Sequence, residues 1–284
     1  MNKIDSINYV FENEVLSYKS YIKDFTDEIY QGFDTKSEAV DLLSKIDDLF
    51  SGKKVNNTEG LAALHTKLRD EYSVTISNQK YIELFYSATN VITIGIGGSF
   101  EGPKLLIEAE GNTKKNHVFI TGSDLEEFTE KTEKLNPDET IFIVSSKSFT
   151  TEETIAILNN AITWSGDINK FLAITANKAE AQKYNINNII EFDKEIGGRY
   201  SIWSDISIAA YWENNSEWRN NFFMGGKHAD ICLKEDKSYL KFVKTLAFSD
   251  IWLNNYKKRS NRAVLSYIWK YRSFPDYVQQ LEME

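Results

Sequence analysis

Val91-Ile92-Thr93-Ile94-Gly95-Ile96-Gly97-Gly98-Ser99 is the stretch that decides the fold. Its first half is a short, β-branched run without polar alternation, and its second half is rich in glycine. A continuous apolar run of this length reads as a strand buried on both faces, and glycines directly after it as a tight turn into a helix. The same form recurs over 118–121, 140–144, 171–175 and 189–192, with helix-like stretches over 102–110, 124–135, 151–164 and 178–184 between them. Strands that alternate with helices imply a parallel sheet covered on both sides. The sequence therefore predicts an α/β fold, a doubly wound five-stranded parallel sheet spanning about residues 90 to 200.

Outside the sheet the pattern changes period. Val10, Phe11, Val15, Tyr18, Ile22, Phe25 and Ile29 recur every three to five residues, which predicts one face of a helix. Asp34 or Ser37 is expected to open a second helix carrying Ala39, Leu42, Leu43 and Ile46. Leu61, Leu64 and Leu68, then Ile82, Leu84 and Phe85, predict two more. Downstream, Leu240, Val243, Leu246, Ala247, Ile251 and Trp252 form an amphipathic stripe, 262–267 reads as a fresh strand, and 273–284 as the start of a helix. Four consecutive stretches follow: a helical N-terminal segment over 1–88, the sheet domain over 89–212, a helical connection over 213–258, and a new α/β unit just begun over 259–284.

Composition narrows the function classes. At ~150 residues per domain, 284 residues hold one large domain or two modest ones. The 33 Lys and Arg against 42 Asp and Glu leave a net charge of −9, which argues against general nucleic-acid binding. A small anion remains compatible, because local amides and one or two cations suffice to hold it. Cys232 is the one cysteine, so no intrachain disulfide and no multi-cysteine metal cage is expected. His65, His117 and His228 lie far apart in sequence and give a metal site no local support. No apolar stretch approaches the ~20 residues of a membrane span, and the charged start lacks a secretory core, so a cytoplasmic location is expected.

Four segments carry chemistry. Gly95-Ile96-Gly97-Gly98-Ser99 follows a strand, with Gly102-Pro103 expected to open the next helix; it is neither the dinucleotide fingerprint nor a Walker A loop, and a plain strand–helix turn reads equally well. Ser145-Ser146-Lys147-Ser148-Phe149-Thr150-Thr151-Glu152-Glu153 also follows a strand, and Thr150 with Glu153 has the spacing of a capping box. That clusters Ser146, Lys147, Ser148 and Thr151 at a helix N-terminus, where hydroxyls, an ammonium and free amides suit a phosphate monoester without a metal. Gly197-Gly198-Arg199-Tyr200-Ser201 follows the fifth strand and sets Arg199 on the same rim, as a fixed charge for an oxyanion or a structural ion pair. Gln279-Gln280-Leu281-Glu282-Met283-Glu284 supplies a carboxylate, either a general base or a solvated charge.

Together these segments resemble the glucose-6-phosphate isomerase family, whose domains are of the sugar-isomerase (SIS) type. GIGGSFEGP over 95–103 is similar to the family's GIGGSxLGP, SKSFTTEET over 146–154 to SKTFTTxET, GGRYSIWS over 197–204 to GGRYSxxS, and QQLEME over 279–284 to the start of QQLxMESNGK. VNNTEGLAALHTKLR over 55–69 also resembles the family's TExRAxLHxxLR, so the likeness runs from about residue 50 to 284.

The resemblance implies reversible aldose–ketose isomerisation of glucose 6-phosphate and fructose 6-phosphate through a cis-enediol(ate), with no cofactor or metal. It implies that Gly98, Ser99, Ser146, Lys147, Ser148 and Thr151 bind the phosphate, that Glu284 shuttles the proton, that Arg199 stabilises the enediolate, and that Gln280 lines the site. It further implies a homodimer. Departures are Ser148 for Thr, Glu101 for a small or apolar residue, Ser207 for glycine and Cys232 for histidine. The family's second SIS domain, with a ring-opening histidine and a C-terminal lysine, has no counterpart in this sequence, so the chain is expected to be an N-terminal portion that does not isomerise alone. Two other readings stand beside this one: a non-catalytic sugar-phosphate-binding module, and an isomerase of amino-sugar phosphates, which GGRYS and QQLEME argue against.

Overall fold

A computed structural model describes residues 7–71, 80–111 and 113–283. They fall into two units, interleaved in sequence: 1–60 with 224–263, and 61–223 with 264–284. This division differs from the four consecutive stretches read from sequence. Its cause is aromatic packing between the two ends of the first unit.

In that first unit, β1 (Tyr9–Glu12) and β2 (Ser17–Ser20) pair as an antiparallel hairpin. The helix expected over 10–29 is therefore corrected. Asn13 Oδ1 accepts from the N–H groups of Val15 at 3.0 Å and Leu16 at 2.7 Å. This side-chain turn offers the backbone an alternative to helix. Apolar spacing alone does not separate the two outcomes when the residues are β-branched and aromatic. Helix α1 (Asp27–Ala39) then runs unbroken through Asp34 and Ser37, which were expected to start a new helix, and α2 (Leu42–Phe50) opens instead at Asp41. A later helix of the same unit returns to them. It spans Lys237–Ile251, is capped by Asp236, and presents Phe242 to Phe11 at 4.4 Å and Phe248 to Tyr30 at 5.5 Å.

The second unit holds the sheet: β3 (Asn90–Ile94), β4 (Asn116–Ile120), β5 (Thr140–Ser145), β6 (Phe171–Thr175) and β7 (Asn188–Glu191). Their order is β4-β3-β5-β6-β7, every pairing parallel. The five strands expected from sequence are all present. Successive residues go to opposite sides: Ile92, Phe142, Val144, Phe171 and Ala173 enter one core, while Val91, Ile141, Ile143, Leu172 and Ile174 enter the other. This two-sided burial is why the strands read as unbroken apolar runs.

The first core is covered by Leu125–Thr132, Glu152–Ser165 and Lys178–Gln182, and the second by Ile82–Ser87 and Ile208–Glu213. In chain order the helices of this unit are α3 (His65–Glu71), α4 (Ile82–Ser87), α5 (Gly98–Glu110), α6 (Leu125–Thr132), α7 (Glu152–Ser165), α8 (Lys178–Gln182) and α9 (Ile208–Glu213), with α10 (Ser216–Glu235) running across the boundary between units. Helix α11 is Lys237–Ile251 and α12 is Phe274–Met283.

Two further expectations are corrected. Helix α5 starts at Gly98, not at Gly102-Pro103. The strand expected over 262–267 does not form. It has no ladder partner among the described residues, so its peptide groups have nothing to pair with, and Leu265, Tyr267 and Trp269 stay exposed.

Two histidines of this unit are buried. His117 Nε2 lies 2.9 Å from Glu213 Oε1, and the Glu213 carboxylate also accepts from the N–H groups of Lys114 and Lys115. A carboxylate there makes Nε2–H the donor and leaves His117 Nδ1 without a partner. Burial lowers the pKa of His117 against the opposing pull of Glu213, with Lys115 a smaller lowering influence. His65 stacks on Tyr200, and burial, helped by Arg69, holds its pKa down at about 3.

Phe142, fully buried and stacked on Phe171 at 4.4 Å, is the test of the core. Phe142→Ala is expected to cost about 3–5 kcal/mol in urea unfolding followed by circular dichroism. The histidines predict acid sensitivity. Their folded pKa lies below the unfolded value, so their contribution is complete above pH ~6.5 and is lost as pH falls; for His65, with a folded pKa of about 3, the loss is about 1.4 kcal/mol per pH unit. His65→Phe should flatten the fall in unfolding free energy between pH 6.5 and 5 by about that slope; an unchanged slope would contradict the assignment.

Candidate active site

The chain leaves β3 toward β4 on one side and returns to β5 on the other, so a switch point lies between the carboxyl ends of β3 and β5. Ligands of doubly wound sheets bind in that crevice. The loop after β3 enters it first. Gly97 has φ +57°, a conformation that favours glycine, and α5 begins at the next residue. A Cβ on Gly95 would lie 2.9 Å from Ser99 Cβ and 3.1 Å from Ser145 O, so Ser99 and the end of β5 crowd the same backbone.

The loop after β5 is a chain of hydroxyl turns. Ser146 Oγ accepts from Phe149 N–H at 3.1 Å and lies 3.4 Å from Thr151 Oγ1. Ser148 Oγ accepts from the N–H and hydroxyl of Thr150, at 3.2 and 2.8 Å. Phe149, at φ +55°, is fixed in the core with 1% exposure, which holds a backbone form that costs about 1–3 kcal/mol outside glycine. The Lys147 carbonyl accepts from Ala176 N–H and Thr175 Oγ1, tying the loop to the end of β6. The cap of α7 is Thr151, one residue beyond the Thr150 expected, because Thr150 turns its hydroxyl to Ser148. Thr151 makes no side-chain bond to the helix, which leaves the first-turn amides of α7 facing this loop.

The third loop meets the first in direct contact. A Cβ on Gly98 would stand 2.0 Å from Gly198 O, and Ser201 Oγ donates to Gly98 O at 2.7 Å. Residues Gly198–Trp203 form a six-residue 3-10 helix that carries Arg199. Arg199 is half-buried and makes no ion pair with a described residue, so the structural-pair alternative gains no support. From α12, the Gln280 amide lies over Gly97, 3.2 Å from the position a Cβ would take. The structure thus brings Gly98 and the Gln280 amide together at the start of α5, with Ser99 beside Gly95, carries Arg199 on the 3-10 helix that touches Gly98, and sets Ser146, Lys147, Ser148 and Thr151 on the adjoining loop. Glu284 lies outside the described residues.

The sequence departures have local settings. Burial pushes the Glu101 carboxyl up against the opposing pull of Lys104, and Asp276 and Glu108 push the same way. Ser207 is fully buried, and its hydroxyl has no partner among the described residues.

Sequence reasoning missed α3 as part of this site. Leu64 N–H donates to Glu195 O at 3.1 Å, which docks the start of α3 on the turn that leads into Gly197. His65 then stacks on Tyr200, with centroids 3.9 Å apart and planes 15° apart, and Arg69 lies 5.1 Å over the Trp203 ring. Their spacing of four on a helix was the available signal. No group of residues suited to a metal occurs among the described residues. A groove also lies along the edge strand β4, between Phe100, Lys104, Phe119 and Lys131; the polar groups of the three loops converge instead at the switch point.

A family model for phosphoglucose isomerase matches residues 82–284. Curated relatives include a glucose-6-phosphate isomerase of Baumannia cicadellinicola subsp. Homalodisca coagulata, 31% identical, with 99% of this chain and 58% of that protein covered. Another, from Legionella pneumophila (strain Lens), is 32% identical over 86% of this chain and 56% of its own length. Among solved structures, a glucose-6-phosphate isomerase from Chlamydia trachomatis aligns with a TM-score of 0.77 at 21% identity, over 91% of this chain and 56% of that one. A hypothetical protein from Thermus thermophilus aligns at 0.73 and 18%, over 91% and 62%. The two structural likenesses are of fold. The chain spans a little over half the length of the curated relatives it matches. On these matches, and with the sheet and its three loops as described, the chain belongs to the phosphoglucose isomerase family.

Proposed function

We propose that the chain carries the phosphate-binding and enediolate-stabilising part of an enzyme that interconverts glucose 6-phosphate and fructose 6-phosphate. The observation that carries this reading is the contact of Gly98 with Gly198, which joins an anion-binding loop to a loop bearing a half-buried arginine. Ser99, Ser146, Lys147, Ser148 and Thr151 hold the phosphate, together with the first-turn amides of α7. Phosphate held there leaves C1 and C2 of an open-chain sugar to reach toward Arg199 and Gln280.

In the aldose-to-ketose direction the Glu284 carboxylate takes the proton from C2. The C–H electron pair forms the C1=C2 bond, and the carbonyl pair moves to O1. Arg199 stabilises that oxyanion as a fixed charge in a partly desolvated setting. The O2 proton passes to O1, which becomes a hydroxyl; the O2 electron pair then forms the carbonyl at C2 while the C1=C2 pair takes the proton back at C1, which completes the isomerisation. The carbon skeleton keeps its electron count, so the step calls for no redox cofactor.

Assembly as a homodimer and a cytoplasmic location belong to the same proposal. No helix among the described residues is long and apolar enough to cross a membrane.

A coupled assay of fructose 6-phosphate conversion, run on this chain and on one extended in frame, tests the reading. Activity in the extended form and not in the shorter one is expected. Binding of sugar phosphate by both with activity in neither would support a non-catalytic binding module. In the active form, Lys147→Ala should weaken sugar-phosphate binding about 10–100-fold through loss of a charge-assisted contact. Arg199→Ala should lower kcat about 10²–10³-fold with KM changed far less.

A further inference from the structure

We propose that His65 is a positioning residue for Arg199: with Arg69 it clamps the 3-10 helix Gly198–Trp203 in the register that aims Arg199 at the switch point. The proposal rests on the reading of Arg199 as the cation that faces the enediolate.

The argument begins with the weakness of the clamped element. A 3-10 helix has strained hydrogen bonds and seldom exceeds three or four residues, yet this one runs for six. Side chains three apart eclipse in such a helix, so it presents three rows. Gly198 and Ser201 form the row against Gly98, by close backbone contact and the Ser201 hydroxyl. Arg199 shares its row with Ile202, which is seated on Gly102 of α5, 2.9 Å from the position of a Cβ there. Tyr200 and Trp203 form the third row, and this row meets α3.

The two helices match in pitch. Four residues of α-helix rise about 6 Å, and three residues of 3-10 helix rise about 6 Å. His65 and Arg69 are four apart, Tyr200 and Trp203 three apart, so both contacts close only when the 3-10 geometry is kept. Relaxation of the segment to an α-helix would shorten the second spacing and rotate the rows, and would turn Arg199 away from its place above Ile202.

The His65 ring is 94% buried, and its Nδ1 has no hydrogen-bond partner among the described residues. Its flat aromatic face lies against Tyr200.

Hydrogen exchange and ligand binding test the clamp on the 284-residue chain. In His65→Ala the amides of 198–203 should exchange about tenfold faster than in the parent, the scale of one aromatic pair, while those of β5 and β6 are unchanged. His65→Phe keeps the stack without the nitrogens and should restore protection to within about threefold. Two probes then separate aim from binding. Sorbitol 6-phosphate has a phosphate and no charge near C1. A five-carbon aldonate 5-phosphate carries a carboxylate where the enediolate charge would develop. His65→Ala should weaken the aldonate about tenfold and sorbitol 6-phosphate less than about twofold.

Unchanged exchange over 198–203 in His65→Ala overturns the clamp, whatever the probes do. Equal weakening of both probes overturns the aim, since a merely structural residue would act on both. If the parent chain binds neither probe, the functional reading fails and the exchange experiment still decides the clamp. Should His65→Ala not fold, Arg69→Met removes the second contact, and unchanged exchange over 201–203 in that variant overturns the proposal.

Discussion

The close approach of two glycines, Gly98 and Gly198, is the constraint on which the site depends. With Gly198 O 2.0 Å from where a Gly98 Cβ would be, no side chain fits at residue 98 unless the third loop moves away. That contact lets the loops after β3 and β7 share one rim although three strand positions separate them in the sheet. The rest of the second unit can be seen as support for this approach: the switch point sets where β3 and β5 open, the Phe149 anchor shapes the hydroxyl loop, and α12 brings Gln280 over Gly97.

The sheet was legible for a specific reason. Both faces are buried, so β3, β5 and β6 carry apolar residues at odd and even positions alike, and that signature survives without any knowledge of partners. The loops were legible because glycines and hydroxyls stand directly after those strands, where the topology must place them on one edge. What failed was decided by contacts distant in sequence or by side-chain competition with the backbone. Phe11 belongs to a strand because Phe242, more than two hundred residues later, stacks on it, and because Asn13 turns the chain. The segment 262–267 has β composition but no neighbour with which to pair among the described residues. Thr150 lost the cap of α7 to Thr151 through a bond to Ser148 that spacing does not reveal. His65 stood inside a recognised motif without a role, because its partner Tyr200 lies on a 3-10 helix whose period differs from that of its own.

Electrostatics join these observations into one account of the rim. An anion-binding edge is effective when the groups beneath it do not supply opposing or redundant charge. The support here meets that condition in several ways. Burial holds His65 uncharged over the physiological range, with a pKa of about 3, and raises the phenol of Tyr277 against the opposing influence of Arg69. Burial also pushes the Glu101 carboxyl toward its protonated form. Two of the charges on α5 and α12 are paired locally, Glu108 with Arg272 at 3.1 Å and Asp276 with Lys104 at 3.9 Å. The 3-10 helix that carries Arg199 is packed on rings through Tyr200 and Trp203. His65, held uncharged by burial, also packs against the helix that carries Arg199. Packing and electrostatics thus make the same demand on α3: a flat, neutral ring at residue 65 and a cation one turn later, kept off the rim by Trp203.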